Sequence, residues 1–128
     1  MHERFKILIC DDSKLMRRKL GQVLEKHFEV QIVEADNGQR AVELYESVRP
    51  GLVFMDIVMP VLDGVAALEA IRSIDREARV VMSSSSGTKE KLKRALEAGA
   101  MEFIQKPWTE EQIRFVVEKI LKERDSHV

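Results

Sequence analysis

Two hydrophobic rhythms alternate along the chain. Short apolar runs rich in Val, Ile and Leu occur at residues 5–10, 30–35, 52–55, 80–82 and 103–104. Each is too short for a typical helix, and most are nearly continuous, which is the pattern of strands covered on both faces. Between them apolar residues recur at helical spacing. Met16, Leu20, Val23 and Leu24 keep one face, as do Ala41, Leu44, Tyr45 and Val48, and then Leu92, Ala95 and Leu96. The cleanest case comes last, where Ile113, Val116, Val117, Ile120 and Leu121 repeat at i, i+3, i+4, i+7 and i+8. Thr109 and Gln112 stand at capping-box spacing ahead of that helix. A further helix rests on Val65, Leu68 and Ile71 after an Asp63-Gly64 turn.

The order is therefore strand then helix, five times over. Strands alternating with single helices imply parallel pairing, right-handed crossovers and helices on both faces of the sheet. The expected fold is a doubly wound α/β domain of three layers. No linker, low-complexity stretch or further repeat interrupts it, so residues 1–128 are expected to form one domain. In such folds ligands sit outside the carboxyl ends of the strands, at a topological switch point.

Composition narrows the function classes. The chain is 45% apolar and 34% charged, ordinary for a globular protein and wrong for a disordered one. A formal net charge of −1 provides no general basic field, so direct nucleic-acid binding is not expected. The single cysteine, Cys10, cannot build a disulfide framework and fits a reducing compartment, where it would pack as a small hydrophobe. No apolar run is long enough for a signal peptide or a membrane span. A cytoplasmic monomer is expected.

The strand ends hold the chemistry. The first strand runs into Asp11-Asp12, and the third into Asp56 followed by Ile57-Val58-Met59-Pro60. The fourth runs into Ser83-Ser84-Ser85-Ser86-Gly87, and the fifth into Lys106-Pro107. Three carboxylates, a hydroxyl cluster and one lysine would converge on one edge of the sheet. Clustered carboxylates repel, and a hard divalent cation relieves that repulsion; Mg²⁺ takes oxygen ligands and retains water. Such a cation beside a carboxylate suits phosphoryl transfer, because it neutralises charge on the phosphoryl oxygens. Lysine can supply a second positive charge there and serine a hydrogen bond. No histidine dyad, general base or nucleotide-binding glycine loop accompanies the set.

These residues resemble the receiver domains of two-component response regulators. The resemblance covers essentially the whole chain. Its markers are Asp11-Asp12, Asp56 with Met59-Pro60 and Asp63-Gly64, Ser84, Gly99-Ala100 and Lys106-Pro107. Any one is weak, but together, in this order at strand ends, they are highly specific. The resemblance implies a flavodoxin-like (βα)5 sheet with strand order 2-1-3-4-5. It implies that Asp56 takes a phosphoryl group from a histidine kinase or another phosphohistidine donor. Asp12, Asp56 and the Val58 backbone carbonyl would ligate Mg²⁺ directly, with Asp11 acting through water. Ser84 and Lys106 would contact the phosphoryl oxygens. Phe103 would be the aromatic switch, turning inward to alter the surface of helix 4, strand 5 and helix 5 that a downstream effector reads. The Lys106-Pro107 bond is commonly cis in the family.

Several residues depart from the family's commoner pattern. Ser84 replaces Thr, Ser85 replaces Ala, Phe103 lacks the hydroxyl of Tyr, and Trp108 stands where Phe is frequent. Val58 and Ser86 flank the site and bear on phosphoryl lifetime. Plainer readings exist for single features. Asp11-Asp12 alone suits a cap or turn, and Ser13 can cap helix 1. His2, His27 and His127 share no metal-ligand spacing. Lys89, Lys91, Lys93 and Arg94 read as a solvated face or as an electrostatic handle for an acidic partner.

A stand-alone signalling switch without an output module is expected, acting through partners and not as an enzyme in its own right. Leu15-Met16-Arg17-Arg18 and the basic helix 4 resemble the chemotaxis regulators that bind the flagellar motor. The runner-up is a phosphorelay intermediate serving a histidine phosphotransfer protein, and a piece of a larger regulator is a third reading. An aspartate-nucleophile phosphatase would carry a second acidic residue where this chain has Val58. A degenerate receiver would lack an acidic residue or the lysine, and all are present.

Overall fold

The computed structural model describes residues 4–85 and 88–125. Ser86 and the histidines at 2 and 127 lie outside the described residues. Strands and helices alternate: β1 Phe5–Cys10, α1 Lys14–His27, β2 Val30–Ala35, α2 Gly38–Val48, β3 Leu52–Asp56, α3 Gly64–Ile74, β4 Val80–Ser84, α4 Lys89–Glu97, β5 Glu102–Gln105 and α5 Glu110–Asp125. All pairings are parallel, in the order β2-β1-β3-β4-β5. The expected three-layer fold and strand order are both observed. The apolar runs at 52–55, 80–82 and 103–104 extend by one or two residues into flanking polar positions, because the ladder continues past the last apolar side chain.

Alternation along the strands builds two cores, one on each face of the sheet. Leu8, Cys10, Val53, Met55, Val80 and Met82 face α2, α3 and α4, where they meet Ala41, Tyr45, Val65, Leu68 and Ile71. Ile7, Ile9, Leu52, Phe54, Val81 and Ile104 face α1 and α5, meeting Leu20, Leu24, Ile113, Val117 and Ile120. The α3 stripe, read from only three residues, is fully used, with Val65, Leu68 and Ile71 all buried. The stripe expected on α4 is not. Only Ala95 is buried there, while Leu92 and Leu96 are exposed. Periodicity identified the helix correctly but overestimated how much of it the sheet covers.

Every helix begins on a side chain that accepts a hydrogen bond from its first turn. Ser13 Oγ accepts from Met16 N at 3.2 Å, Asn37 Oδ1 from Arg40 N at 2.8 Å, and Thr88 Oγ1 from Lys91 N at 3.2 Å. At α5 the capping box is reciprocal: Gln112 N donates to Thr109 Oγ1 at 3.1 Å and Thr109 N to Gln112 Oε1 at 2.8 Å. Past α4, Gly99 takes φ +101° and Ala100 N donates to Ala95 O at 3.0 Å, closing the helix in a conformation that suits glycine. That requirement explains the Gly99-Ala100 marker physically. No helix among the described residues is long and apolar enough to cross a membrane.

Candidate functional site

Strand register assembles the site. Cys10 pairs with Met55, Asp56 with Ser83, and Ser84 with Gln105, so Asp11, Asp56, Ser84 and Lys106 all emerge at the carboxyl edge. The backbone just beyond the strands keeps them there. Asp11 N donates to Ala35 O, Ile57 N to Ser83 O and Lys106 N to Ser84 O. Asp11, Asp56 and Ser84 are buried, whereas Asp12 is exposed at the rim. Carboxylate oxygens of Asp11, Asp12 and Asp56 lie within 4.8 Å of one another.

Lys106 reaches into this cluster. Its Nζ donates to Asp11 Oδ2 at 2.6 Å and to Asp56 Oδ2 at 3.0 Å. Burial raises the Asp56 pKa above the ordinary aspartate value; the Lys106 hydrogen bond and charge oppose that effect, and the neighbouring Asp11 adds to it. For Lys106, burial disfavours the ammonium, but its bonds to Asp11 and Asp56 outweigh this and leave its pKa raised. Desolvation and pairing thus compete at both groups, and the ammonium is the better compensated of the two. The Lys106-Pro107 bond is cis.

The loop from β3 to α3 is held close to Asp56. Val58 N donates to Asp56 Oδ1 at 3.4 Å, and Gly64 N donates to Ile57 O at 2.7 Å. Asp63 caps α3 through Ala66 N at 2.8 Å. A Cβ on Gly64 would lie 2.1 Å from Asp56 O, so only glycine lets α3 start this near the third strand. Val61 takes φ +70°, a region that β-branched residues seldom occupy, and its side chain is 81% exposed. Neither constraint is visible in a hydrophobic pattern, although Asp63-Gly64 marks the turn.

Phe103 lies away from the cluster. It pairs with Met82, two positions before Ser84, and packs half-buried against the core beneath α2, α3 and α4. Met82 and Ser84 share a sheet face, so Phe103 and Ser84 look to the same side. Ser85 is exposed and lines an open cleft of about 500 Å³ with Met16, Lys19, Lys106, Pro107 and Trp108. Trp108 packs against the α1–α5 core, with Lys19 Nζ 5.5 Å above its ring.

Sequence reading missed the support given by Arg17. Its Nη1 donates to Asp11 O at 2.7 Å while its Nε meets Glu34 Oε1 at 2.9 Å. This contact fixes the backbone of the acidic pair to the end of β2. The only available signal was an unlike-charge pair, Arg17 and Glu34, whose proximity requires the β1–β2 register. His27, given no metal role, instead bonds Glu110 and ties the end of α1 to the start of α5.

The family model for the response regulator receiver domain matches residues 7–118. The chain belongs to this family. It is 42% identical to the chemotaxis protein CheY of Halobacterium salinarum over 90% of this chain and 95% of that one. It is 43% identical to CheY of Bacillus subtilis, covering 91% and 97%. Among solved structures, the CheX–CheY–BeF3–Mg²⁺ complex from Borrelia burgdorferi contains a chain 32% identical, with a TM-score of 0.86, covering 91% of this chain and 89% of that one.

The protein is thus a CheY-like receiver, a phosphorylatable signalling switch of two-component systems. Receiver domains bind Mg²⁺ at an acidic pocket, and the cluster of Asp11, Asp12 and Asp56 fits that ion. The donors are all oxygen, and the exposed position of Asp12 leaves room for the water that Mg²⁺ retains.

Proposed function

We propose that Asp56 is the phosphoacceptor and that its modification changes which partner the α4–β5–α5 surface engages. The observation that carries this reading is the meeting of Asp56 with two further carboxylates and the Lys106 ammonium at one strand edge. A carboxylate oxygen of Asp56 attacks phosphorus, and the bond from phosphorus to the donor histidine nitrogen breaks with its electron pair. The departing imidazole takes up a proton, and the product is an aspartyl phosphate. Water later attacks the phosphorus, releasing inorganic phosphate and restoring the carboxylate.

Asp12, Asp56 and the Val58 carbonyl would hold Mg²⁺ directly, and Asp11 through water. The ion, when bound, supplies positive charge to the phosphoryl oxygens. Lys106 then shifts from the carboxylates to a phosphoryl oxygen, since its ammonium is already buried beside the acceptor. Ser84 donates its hydroxyl to another. Phe103 shares a sheet face with Ser84, which supports a coupled repacking biased by phosphoryl contacts made in only one state.

The donor in this reading is a histidine kinase or phosphohistidine protein, and the effector is a protein. The named CheY relatives favour a chemotaxis role over a phosphorelay role. Incubation with a small-molecule phosphodonor and Mg²⁺, followed by intact mass measurement, tests the site. A labile phosphoryl adduct is expected on the unmodified sequence, and none without Mg²⁺ or in Asp56→Asn. An equal adduct on Asp56→Asn overturns the assignment.

A further inference from the structure

On the α3 side of α4 lies a cleft of about 210 Å³ whose lining includes none of the acidic cluster. Buried Ile57, Met59 and Val65 form its floor, and Val58, 60% exposed, stands at its rim. Lys91 and Arg94, one helical turn apart, close the opposite wall. Asp63 also borders it, but its Oδ1 is committed to capping α3. The cleft splits the basic stretch of α4, because Lys89 and Lys93 take no part in lining it. Arg94 forms no ion pair among the described residues. A second hollow of about 220 Å³ continues past Val65 and Arg94 to Glu69 and Glu97. The groove is therefore cationic toward the strand ends and acidic toward the far end of α4.

We propose that this cleft docks an extended segment of a partner protein that carries an apolar side chain next to a carboxylate. The apolar group covers Ile57, Met59 and Val65, and the carboxylate pairs with Arg94. Charge complementarity selects the occupant: the Arg94 guanidinium stands over an apolar floor, with the positive charge of Lys91 beside it, and a carboxylate meets a guanidinium with two parallel hydrogen bonds. A neutral apolar segment would leave Arg94 covered without a partner, and a basic one would be repelled. No residue of β5 or α5 lines the site, so it shares only α4 with the surface proposed above to engage the effector. It also touches the acceptor's surroundings, since Val58 N donates to Asp56 Oδ1. Docking itself does not depend on phosphoryl chemistry at Asp56.

The test uses the whole chain, without phosphodonor or Mg²⁺, so its result is independent of the phosphoacceptor assignment. Acetyl-leucyl-glutamyl-leucinamide is titrated while amide shifts are followed by ¹H–¹⁵N correlation spectra. Saturable shifts are expected at Val58, Met59, Val65, Lys91 and Arg94. The glutaminyl counterpart should bind about tenfold more weakly, the loss expected for one charge-assisted pair at a largely exposed wall. Arg94→Gln should lose affinity by a similar factor, whereas Lys122→Gln, an equal change of net charge on α5, should not. Shifts absent or scattered over the surface, equal binding of the two peptides, or equal loss in Lys122→Gln would each overturn the proposal. So would inorganic phosphate at matched ionic strength producing the same shifts, because the cleft would then be a general anion site.

Discussion

Lys106 Nζ lies 2.6 Å from Asp11 and 3.0 Å from Asp56, bridging two carboxylates at the carboxyl ends of separate strands. The lysine thereby serves as an internal cation for an acidic cluster that would otherwise repel itself. Any divalent ion entering the cluster must share the Asp11 and Asp56 oxygens with an ammonium a few ångströms away.

That competition gives a prediction with a definite sign. An ammonium and a divalent ion about 4 Å apart repel by roughly 2 kcal/mol in bulk water and about 8 kcal/mol at the effective dielectric of a protein surface. Lys106→Met should therefore bind Mg²⁺ about tenfold more tightly, not more weakly, even though it removes a residue of the site. The protein's one tryptophan, Trp108, lies two residues away and provides a fluorescence signal for the titration. Unchanged or weaker Mg²⁺ affinity would show that Lys106 does not compete for the carboxylates.

Gly64 yields a second prediction, one in which two effects oppose each other. Replacing a helical glycine with alanine ordinarily stabilises by roughly 0.5–1 kcal/mol through backbone entropy. Here the added Cβ would sit 2.1 Å from Asp56 O and 2.8 Å from Ile57 Cα, both backbone atoms that cannot swing aside. Steric overlap of this kind costs about 1–3 kcal/mol or more, so the net effect of Gly64→Ala should be a clear loss of stability. Urea unfolding should show a lower midpoint at unchanged m-value. A midpoint equal to or above that of the parent would contradict the close approach. Because the displaced atoms belong to Asp56 and Ile57, phosphoryl adduct formation should also fall.

Tyr45 and Asp75 tie α2 to the end of α3 and make stability depend on pH. Tyr45 Oη donates to Asp75 Oδ2 at 2.7 Å, and Arg49 lies 3.9 Å from the same oxygen. The Tyr45 hydrogen bond, joined by that from Glu77 N, lowers the Asp75 pKa below the ordinary value. A carboxylate with a depressed folded pKa contributes stability above its unfolded pKa, about 3.9, and loses it as pH falls through the folded value. Tyr45→Phe should thus lower stability by about 1 kcal/mol near neutral pH, and the difference should narrow below about pH 4. Asp75 is partly exposed, so water replaces the lost donor and the cost stays modest. Chemical denaturation at pH 7 and pH 3 measures both limbs; a pH-independent difference would rule out the linkage.

How much of the site was legible follows from what each residue's position depends on. Asp11 and Asp56 sit directly after apolar runs and Lys106 one residue further beyond its run, so a strand pattern and a parallel sheet bring them to one edge without further information. Thr109 and Gln112 act on each other across one helical turn, and their capping box was readable at that range. Arg17 acts on Asp11 O and Glu34, which requires the register between β1 and β2, a long-range quantity. Gly64 matters because a helix terminus approaches a strand, and Val61 because a loop must turn. Neither leaves a periodic trace. For Leu92 and Leu96 the helical period was right, but burial depends on whether the sheet extends beneath them, and β5 is a four-residue edge strand.

The contrast between α3 and α4 provides the last prediction. Leu68 and Leu96 both belong to the apolar stripes of neighbouring helices, yet Leu68 is fully buried and Leu96 is 51% exposed. Leu68→Ala removes packed methyl groups and leaves a cavity, which costs about 2–5 kcal/mol. Leu96→Ala removes atoms already in water, and alanine has the higher helix propensity, so its effect should lie within about 0.5 kcal/mol of zero. If α4 contributes to the surface an effector reads, Leu96→Ala should instead weaken effector binding while leaving the unfolding midpoint where it was. A stability loss for Leu96→Ala comparable to that of Leu68→Ala would mean that α4 packs more deeply than the exposed position of Leu96 allows.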